Sequence, residues 1–244
     1  MYEDHLTCQP PPDDAVLWRY MDFTKFVSLL ESQSLFFCRA DLLGDPFEGS
    51  IPQVRHLPEN LQKLIEDRFS IHQIDNRQIT RMIYANCWHS GEFESEAMWR
   101  IYARKHDGIA IRTPFQNFRK ALIGKEIVYV SKIQYINYRA DTIPSGNAIF
   151  PFIYKRISFQ HEQEVRALIL QAVDEGELIP EGICYKIDLK QLIEEIVVAP
   201  FAEPWFFELV ESLANRYGLG DRIRKSELAD TPNFIARYAI PKDT

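Results

Sequence analysis

The hydrophobic pattern at the start of the chain changes from that of a strand to that of a helix and back. Residues 15–20 form a short run of strand-forming side chains between turn residues, which predicts a strand. Asp22 is a suitable N-cap for a helix, because Phe26 and Leu30 are among apolar residues that recur after it at helical spacing. Residues 34–38 form another extended apolar run. The pattern predicts a strand, a helix and a second strand.

The middle of the chain alternates between the same two periods. Residues 58–82 carry spaced apolar side chains among charges and predict two helices, which would form a helical insertion. Strands are predicted at 83–88 and at 109–111, and Ser95 is placed to cap a helix between them. Residues 114–122 predict a short helix, because proline is favoured in a first turn.

Strand-forming residues dominate the next part of the chain. Residues 127–130 and 133–138 are rich in β-branched and aromatic side chains and predict a pair of strands. Residues 162–170 predict a further strand, and 166–171 is expected to form a hairpin-like pair with 183–187. The remaining predicted elements are a short helix near Leu189, a strand at 195–199, a helix at 205–217, and strands near 222–224 and 234–238.

The order of these elements predicts an α+β fold with a mixed, strongly bent, antiparallel-rich sheet and peripheral helices. No fixed-period repeat and no long flexible linker interrupts the 244 residues. We therefore expect a flexible N-terminus at 1–14 and a single domain at 15–244, with the helical insertion at 58–82.

Composition and charge restrict the class of protein. Hydrophobic residues make up 46% of the chain and charged residues 26%, as in a soluble globular protein with a sizeable core. The formal charge of -7 gives no strong signal for binding a nucleic-acid backbone. No apolar run approaches the roughly 20 residues of a membrane span, and the first residues lack the pattern of a signal peptide. We expect a cytoplasmic protein without a membrane partner.

Familiar catalytic and metal-binding motifs are absent from the sequence. It has no phosphate-binding glycine loop, no nucleophile elbow and no paired Cys-x-x-Cys. Cys87 and His89 are potential metal ligands, but a zinc site needs a second pair, so no metal is expected. The four cysteines lie far apart, mostly in apolar surroundings, which favours reduced core thiols.

Two glutamates form the most informative chemical pattern. In a strand, period-two alternation would place Glu162, Glu164 and Arg166 on one face. Carboxylates in that arrangement can orient a sugar hydroxyl, act as a general base or hold a divalent cation, and their repulsion would raise one pKa. The alternative interpretation is a solvent-facing strand on which Glu and Arg are cross-strand partners.

Other candidate residues also have structural interpretations. Arg19 lies in an apolar strand, where it needs a carboxylate or phosphate partner unless it faces outward. Asp45 is predicted to bond to nearby backbone amides in a turn, with Phe47 in the core. Trp99 and Tyr102, three residues apart on a helix, are interpreted as core residues rather than as a ligand platform.

An ordered set of motifs between about Leu17 and Leu228 is similar to a known bacterial family. The motifs are Leu17-Trp18-Arg19-Tyr20, Leu35-Phe36-Phe37, Gly44-Asp45-Pro46-Phe47-Glu48, Cys87-Trp88-His89-Ser90, Ala97-Met98-Trp99-Arg100-Ile101-Tyr102, Gly108-Ile109-Ala110-Ile111, and Lys155 with His161-Glu162-Gln163-Glu164-Val165-Arg166. This set resembles the bacterial family filed as domain of unknown function 2971. The family name implies no activity. Further candidate site residues within these motifs are Asp45, Glu48, Lys155 and Arg166.

A second resemblance, to ADP-ribosyltransferases, implies an activity. Arg19 on the first strand, Ser90 on a middle strand and the Glu162, Glu164 pair on a later strand are similar to the Arg, Ser, Glu signature of those enzymes. The resemblance implies NAD as substrate. Arg19 would hold its phosphate or ribose, Ser90 would support the nicotinamide-side ribose, and Glu164 would stabilise an oxocarbenium-like transition state. Glu162 would orient the acceptor. Additional candidates for cofactor binding are Tyr20, Trp99 and Tyr102.

The resemblance leaves the acceptor unknown, as either a macromolecule or a small molecule, in the setting of a bacterial effector or defence protein. One alternative is a magnesium-dependent nuclease or phosphodiesterase in which Asp45, Glu162 and Glu164 bind the metal. Another is a non-enzymatic binding or regulatory module in which Arg19, Glu164 and Arg166 form an internal salt-bridge network.

Overall fold

A nine-stranded sheet organises the part of the chain that the structure describes. The structure is a computed structural model and describes residues 1–50, 76–103, 106–144, 147–171 and 178–230. Its strands are β1 (Val16–Asp22), β2 (Ser34–Arg39), β3 (Ile83–Ser90), β4 (Gly108–Pro114), β5 (Tyr129–Lys132), β6 (Gln134–Ile136), β7 (Tyr154–Arg156), β8 (Glu164–Leu170), β9 (Gly182–Lys186), β10 (Glu195–Val198) and β11 (Ile223–Lys225). β6 and β7 form a separate parallel pair, and the other strands form the sheet.

The helices of the described residues are short. They are α1 (Phe23–Ser32), α2 (Asn76–Met82), α3 (Glu96–Tyr102), α4 (Phe115–Ala121), α5 (Leu189–Leu192) and α6 (Pro204–Arg216). Short 3-10 helices lie at Ala40–Leu42, Phe150–Phe152, Ile157–Glu162, Gly220–Arg222 and Glu227–Ala229. None of the helices in the described ranges is long and apolar enough to cross a membrane.

The sheet branches at β3. The order of the main path is β11-β10-β4-β1-β3-β2-β9. Outside this path, β8 pairs with almost the whole length of β3, and β5 pairs with β8. β1 pairs with the end of β3 and β2 with its start, so these two strands diverge along one edge. The strands that carry Arg19, Ser90 and Glu164 are therefore neighbours, in the order β1, β3, β8.

The two faces of the sheet are covered differently. The first face carries the main core, on which α1, α4, α5 and α6 pack. The second face carries two smaller apolar clusters, one around Phe152 and Leu168 and the other around Trp18 and Trp99. Residues directly opposite each other on paired strands point to the same face of the sheet. The strand register therefore shows whether a strand residue points to the first face or to the second.

The predicted α+β fold with a mixed, antiparallel-rich sheet is confirmed. Two predicted helix caps are also present. Asp22 accepts a hydrogen bond of 2.8 Å from the amide of Lys25 at the start of α1, and Ser95 accepts one of 3.3 Å from the amide of Met98 in α3. These local signals work because a cap involves residues only two or three positions apart.

Two predicted strand pairings were wrong. β5 pairs with β8 instead of β6, and β6 pairs with β7. β9 pairs with β2 rather than forming a hairpin with β8. Hydrophobic period identifies a strand, but it carries no information on which partner that strand meets.

Flexibility is expected for residues 1–14, but residues in the first nine positions bond to β5 and to the residue before it. The Glu3 amide donates to the carbonyl of Val128 at 3.1 Å, and the Lys132 amide donates to the carbonyl of Gln9 at 2.9 Å. The predicted helical insertion lies mostly outside the described residues, which resume with α2. The strand predicted at 234–238 also lies outside them.

Candidate functional site

A cluster of charged side chains lies on the second face of the sheet, between its two apolar clusters. Glu164 and Arg166 reach it from β8, and His89, the cross-strand partner of Glu164, reaches it from β3. The charged cluster consists of Glu48, Lys155, Glu162, Glu164 and Arg166. Its side chains are nearly inaccessible to water, so each charge needs a partner.

The predicted alignment of Glu162 and Glu164 along one strand was wrong, yet their carboxylates meet. Glu162 ends the 3-10 helix Ile157–Glu162, and Gln163 has a φ of 41°, in the left-handed region, before β8 begins. A residue other than glycine seldom adopts this conformation. Here it ends the 3-10 helix directly before β8, and the carboxylates on either side of it contact one ammonium group.

That ammonium group belongs to Lys155 of β7. Its Nζ donates to Oε2 of Glu162 and, at 3.1 Å, to Oε2 of Glu164, and it lies 3.9 Å from Oε1 of Glu48. The ring of Phe159 covers it, with the centroid 4.8 Å from Nζ. Burial alone would lower the pKa of Lys155, but the carboxylates raise it above its usual value. The lysine therefore stays charged.

Arg166 is the most buried cation of the charged cluster, with 1% of its surface exposed. Its guanidinium donates to Glu164 at 2.7 and 3.0 Å, to Glu48 at 2.8 and 3.1 Å, and to the carbonyl of Phe152 at 2.9 Å. These bonds use all the donor positions of the group. Removing either carboxylate would leave a buried guanidinium incompletely paired.

The two cations determine the protonation of Glu164. Burial alone would raise the pKa of this carboxyl, but the charges of Arg166 and Lys155 outweigh burial and lower it to about 2. The prediction that repulsion between glutamates raises a pKa is therefore wrong for Glu164. This residue is a permanently charged partner of the two cations.

The turn at 44–48 is fastened to this part of the protein by ion pairs. Glu48 belongs to the charged cluster, and Asp45 accepts hydrogen bonds of 2.7 and 3.2 Å from Arg156 of β7. Asp45 also accepts from the amide of Phe47 at 3.0 Å, as predicted for the turn. Phe47 does not fill the core as predicted. It is 40% exposed, because its ring packs against the Arg156 guanidinium instead.

Glu162 forms the outer end of the charged cluster, where it contacts an aromatic residue of α3. The Tyr102 hydroxyl donates to Oε1 of Glu162 at 2.8 Å, although 46% of Tyr102 is exposed. Trp99 is buried and packs edge-on against Tyr20, with ring centroids 5.0 Å apart. The interpretation of Trp99 as a core residue is confirmed, whereas that of Tyr102 is wrong. Glu162 is thus the glutamate of the cluster that has a half-exposed partner.

A further buried carboxylate holds this aromatic group in place. Glu94 accepts hydrogen bonds from Nε1 of Trp99 at 3.0 Å, from Arg224 at 2.9 Å and from the hydroxyl of Ser226 at 2.5 Å. Burial alone would raise the pKa of Glu94, but these bonds lower it. The residue therefore links the start of α3 to β11 and the segment after it.

Arg19 and Ser90 lie on the opposite face of the sheet from Glu164. Across the strands, both are paired with residues of the main core. The Arg19 side chain donates to the carbonyl of Cys87 at 3.1 Å, in the interval where β1 and β2 diverge. Burial lowers the pKa of Arg19, and it forms no salt bridge with the residues that the structure describes. The structure does not unite Arg19, Ser90 and Glu164 in one cleft, because alternation separates their side chains.

No protein-family model, curated protein or solved structure matches the chain. The resemblances to the domain of unknown function 2971 family and to ADP-ribosyltransferases therefore stay predictions. Within the described ranges, no group of three or more His, Cys, Asp or Glu side chains is arranged to hold a metal ion. Each carboxylate considered for a magnesium site, on Asp45, Glu162 and Glu164, faces a lysine or an arginine.

Sequence reasoning missed three contributors to the site. It considered His89 as a metal ligand or as an ordinary, partly exposed histidine, yet Nδ1 of His89 bonds to the carbonyl of Glu162 at 2.7 Å. Arg156 and Glu94 were not considered. Alternation along β3 could have found His89, because it places that residue on the face away from the main core. Arg156 and Glu94 gave no signal, since their ion-pair partners lie 111 and 130 residues away in the chain.

Proposed function

We propose that the protein is an ADP-ribosyltransferase-like enzyme with NAD as its substrate. One observation carries the proposal. The Glu162 carboxylate is held between Nζ of Lys155 and the hydroxyl of Tyr102, at the outer end of the charged cluster. A carboxylate fixed in this way can stabilise the positive charge that develops on the ribose as nicotinamide leaves. The half-exposed ring of Tyr102 offers an aromatic surface to the cationic nicotinamide.

The proposal assigns different roles to the two glutamates than the family resemblance does. Both oxygens of Glu164 are taken by Arg166 and Lys155, so a substrate would have to displace a buried cation to reach them. Glu162 is bonded to Lys155 and to the hydroxyl of Tyr102. The hydroxyl is uncharged, so a substrate can displace it at little electrostatic cost. We therefore assign Glu162 to the ribose and treat Glu164 as a positioning residue that fixes Lys155.

The order of the strands supports the ADP-ribosyltransferase-like activity. The direction of the side chains excludes two of the motif residues from the site. β1, β3 and β8, which carry Arg19, Ser90 and Glu164, lie side by side. On the second face, these strands present Tyr20, His89 and Glu164 to one another. Arg19 and Ser90 face the main core, and the proposal gives them no contact with NAD.

The test is a calorimetric titration with NAD combined with an assay of nicotinamide release, on wild type and Glu162→Gln. We expect saturable binding to both proteins and a loss of release of about 100-fold or more in the variant. The matched control is Glu96→Gln, which changes a half-exposed glutamate on α3 and should leave both quantities unchanged. Absence of NAD binding to wild type, or equal release by Glu162→Gln, would overturn the proposal.

A second candidate function, a non-enzymatic binding or regulatory module, is favoured by the complete pairing of Arg166. A guanidinium with every donor satisfied needs no ligand to explain it. The network differs from the predicted one, because Glu48 and Lys155 take the place of Arg19. This candidate predicts no response to NAD and a comparable loss of thermal stability in Glu162→Gln and Glu164→Gln.

A further inference from the structure

His89 contacts the backbone of Glu162 through one ring nitrogen. Its Nδ1 lies 2.7 Å from the carbonyl oxygen of Glu162, which can only accept a hydrogen bond. Nδ1 therefore carries a proton, and in the neutral imidazole Nε2 keeps a lone pair. Nε2 has no hydrogen-bond partner among the described residues. Among the described residues, the hydroxyl oxygen of Tyr138 is the side-chain polar atom that is both fully buried and unpaired. Nε2 of His89 is also unpaired, so it is accessible to solvent.

The surroundings of His89 fix its ring and leave Nε2 uncovered. The ring of Tyr20 packs edge-on against the imidazole, with the centroids 6.3 Å apart. Gly91 is the residue directly after β3, and a Cβ at this position would lie 2.9 Å from Nε2 of His89. A side chain here would crowd the nitrogen, and glycine leaves it open.

The surroundings of His89 favour the neutral imidazole. Burial lowers the pKa of His89, and the bond to the Glu162 carbonyl opposes this only in part. The titratable groups that face it are Tyr20 from β1, Glu164 from β8 and Glu162 from the adjacent 3-10 helix. Since Lys155 neutralises part of the charge of both glutamates, the imidazole has no carboxylate of its own to hold a second proton.

We propose that His89 is the general base that accepts the acceptor's proton at Nε2. The inference rests on the proposed function and extends it to the second reactant. As the acceptor oxygen bonds to C1 of the ribose, the bond from C1 to the nicotinamide nitrogen breaks and its electron pair leaves with nicotinamide. The O–H proton of the acceptor goes to Nε2, and the imidazolium then releases it to water. The Glu162 carboxylate faces the positive charge on the ribose.

The experiment uses water as the acceptor and measures the hydrolysis of NAD by His89→Asn. The side-chain amide of asparagine can still donate to the Glu162 carbonyl, but it has no counterpart of Nε2. We expect kcat to fall by about 100-fold or more with NAD affinity unchanged, and added imidazole to restore part of the rate. Gly91→Ala, which crowds Nε2 while keeping the imidazole, should also lower kcat.

The outcomes separate this inference from the proposed function. Hydrolysis by wild type and an equal kcat in His89→Asn would overturn the role of His89 and leave the proposed function standing. No NAD binding or hydrolysis by wild type would overturn both. A readout independent of activity is the ¹⁵N NMR spectrum of the histidines. A proton on Nδ1 of His89 near neutral pH supports the inference, and a proton on Nε2 overturns it.

Discussion

Arg166 and Glu48 are joined by two hydrogen bonds, of 2.8 and 3.1 Å, although 118 residues separate them along the chain. Only 1% of the Arg166 side chain and 4% of the Glu48 side chain are exposed. Charges at this depth are stable only when they are fully paired. The contact therefore fixes the turn at 44–48 against β8. It is also among the most deeply buried ion pairs of the charged cluster.

Loss of this guanidinium should be among the most destabilising single changes in the described part of the chain. We expect Arg166→Met to lower the free energy of unfolding by about 3–5 kcal/mol, because Glu48 and Glu164 would lose their shared cation. Urea denaturation followed by circular dichroism measures it. Arg100→Met, which breaks the exposed pair with Glu96, should cost only about 0.3–0.5 kcal/mol. Equal costs in the two variants would contradict a buried network.

The stability of the protein should depend on the ionisation of Glu164. The pKa of this group in the folded protein, about 2, lies below its ordinary value of 4.5. Its contribution is therefore complete above pH 4.5 and is lost as the pH falls from 4.5 towards 2. The difference in unfolding free energy between wild type and Glu164→Gln should shrink over that interval, as urea titrations at several pH values would measure. A difference that stayed constant would show that Glu164 has an ordinary pKa.

Of two glycines in the loop after β2, only Gly49 should be sensitive to replacement by alanine. Gly49 has a φ of 72°, and a Cβ there would lie 2.6 Å from Cγ2 of Thr80 and 2.8 Å from the ring of Phe152. The backbone conformation alone costs alanine about 1–2 kcal/mol, and the contacts add to it. Gly44→Ala meets nothing within 4 Å and should change stability by less than about 0.5 kcal/mol. Thermal unfolding of both variants tests this, and a neutral Gly49→Ala would contradict it.

The role of Glu94 in connecting α3 with the segment after β10 can be tested by limited proteolysis. Glu94→Ala removes the shared acceptor of Trp99, Arg224 and Ser226, and should cost about 1–3 kcal/mol. We also expect faster cleavage near β11. Glu195→Ala removes a more exposed partner of the same Arg224 and should have a smaller effect on both measurements. Cleavage rates that rank in the reverse order would show that Glu195 is the more important partner.

Arg19 should matter for stability and not for NAD. Arg19→Met removes a hydrogen bond from a charged donor to the Cys87 carbonyl, which should cost about 1.5–3 kcal/mol. Because Arg19 lies on the face away from Glu162, the affinity for NAD in a calorimetric titration should be unchanged. A variant of normal stability that no longer binds NAD would place the nucleotide on the first face.

Local signals in the sequence predicted most of the helices and strands. The pair of glutamates was also predicted, but from a strand alternation that the structure does not have. The caps at Asp22 and Ser95 were predictable because a capping side chain bonds to an amide two or three residues away. Glu162 and Glu164 were singled out as strand neighbours. They are instead separated by the left-handed Gln163 and meet only through Lys155, which no periodicity indicates.

The sequence by itself determined the fold class, the principal strands and the residue types available for chemistry, because hydrophobic period and capping act within a few residues. Only the tertiary structure decided which of those residues meet. Alternation places Arg19 and Ser90 on the main core face, while the register of β3 with β8 brings His89 to Glu164. Burial then requires that Glu48, Lys155 and Arg166 complete the pairing. Strand order, register and burial are long-range properties, so the site that they assemble has no local signature in the chain.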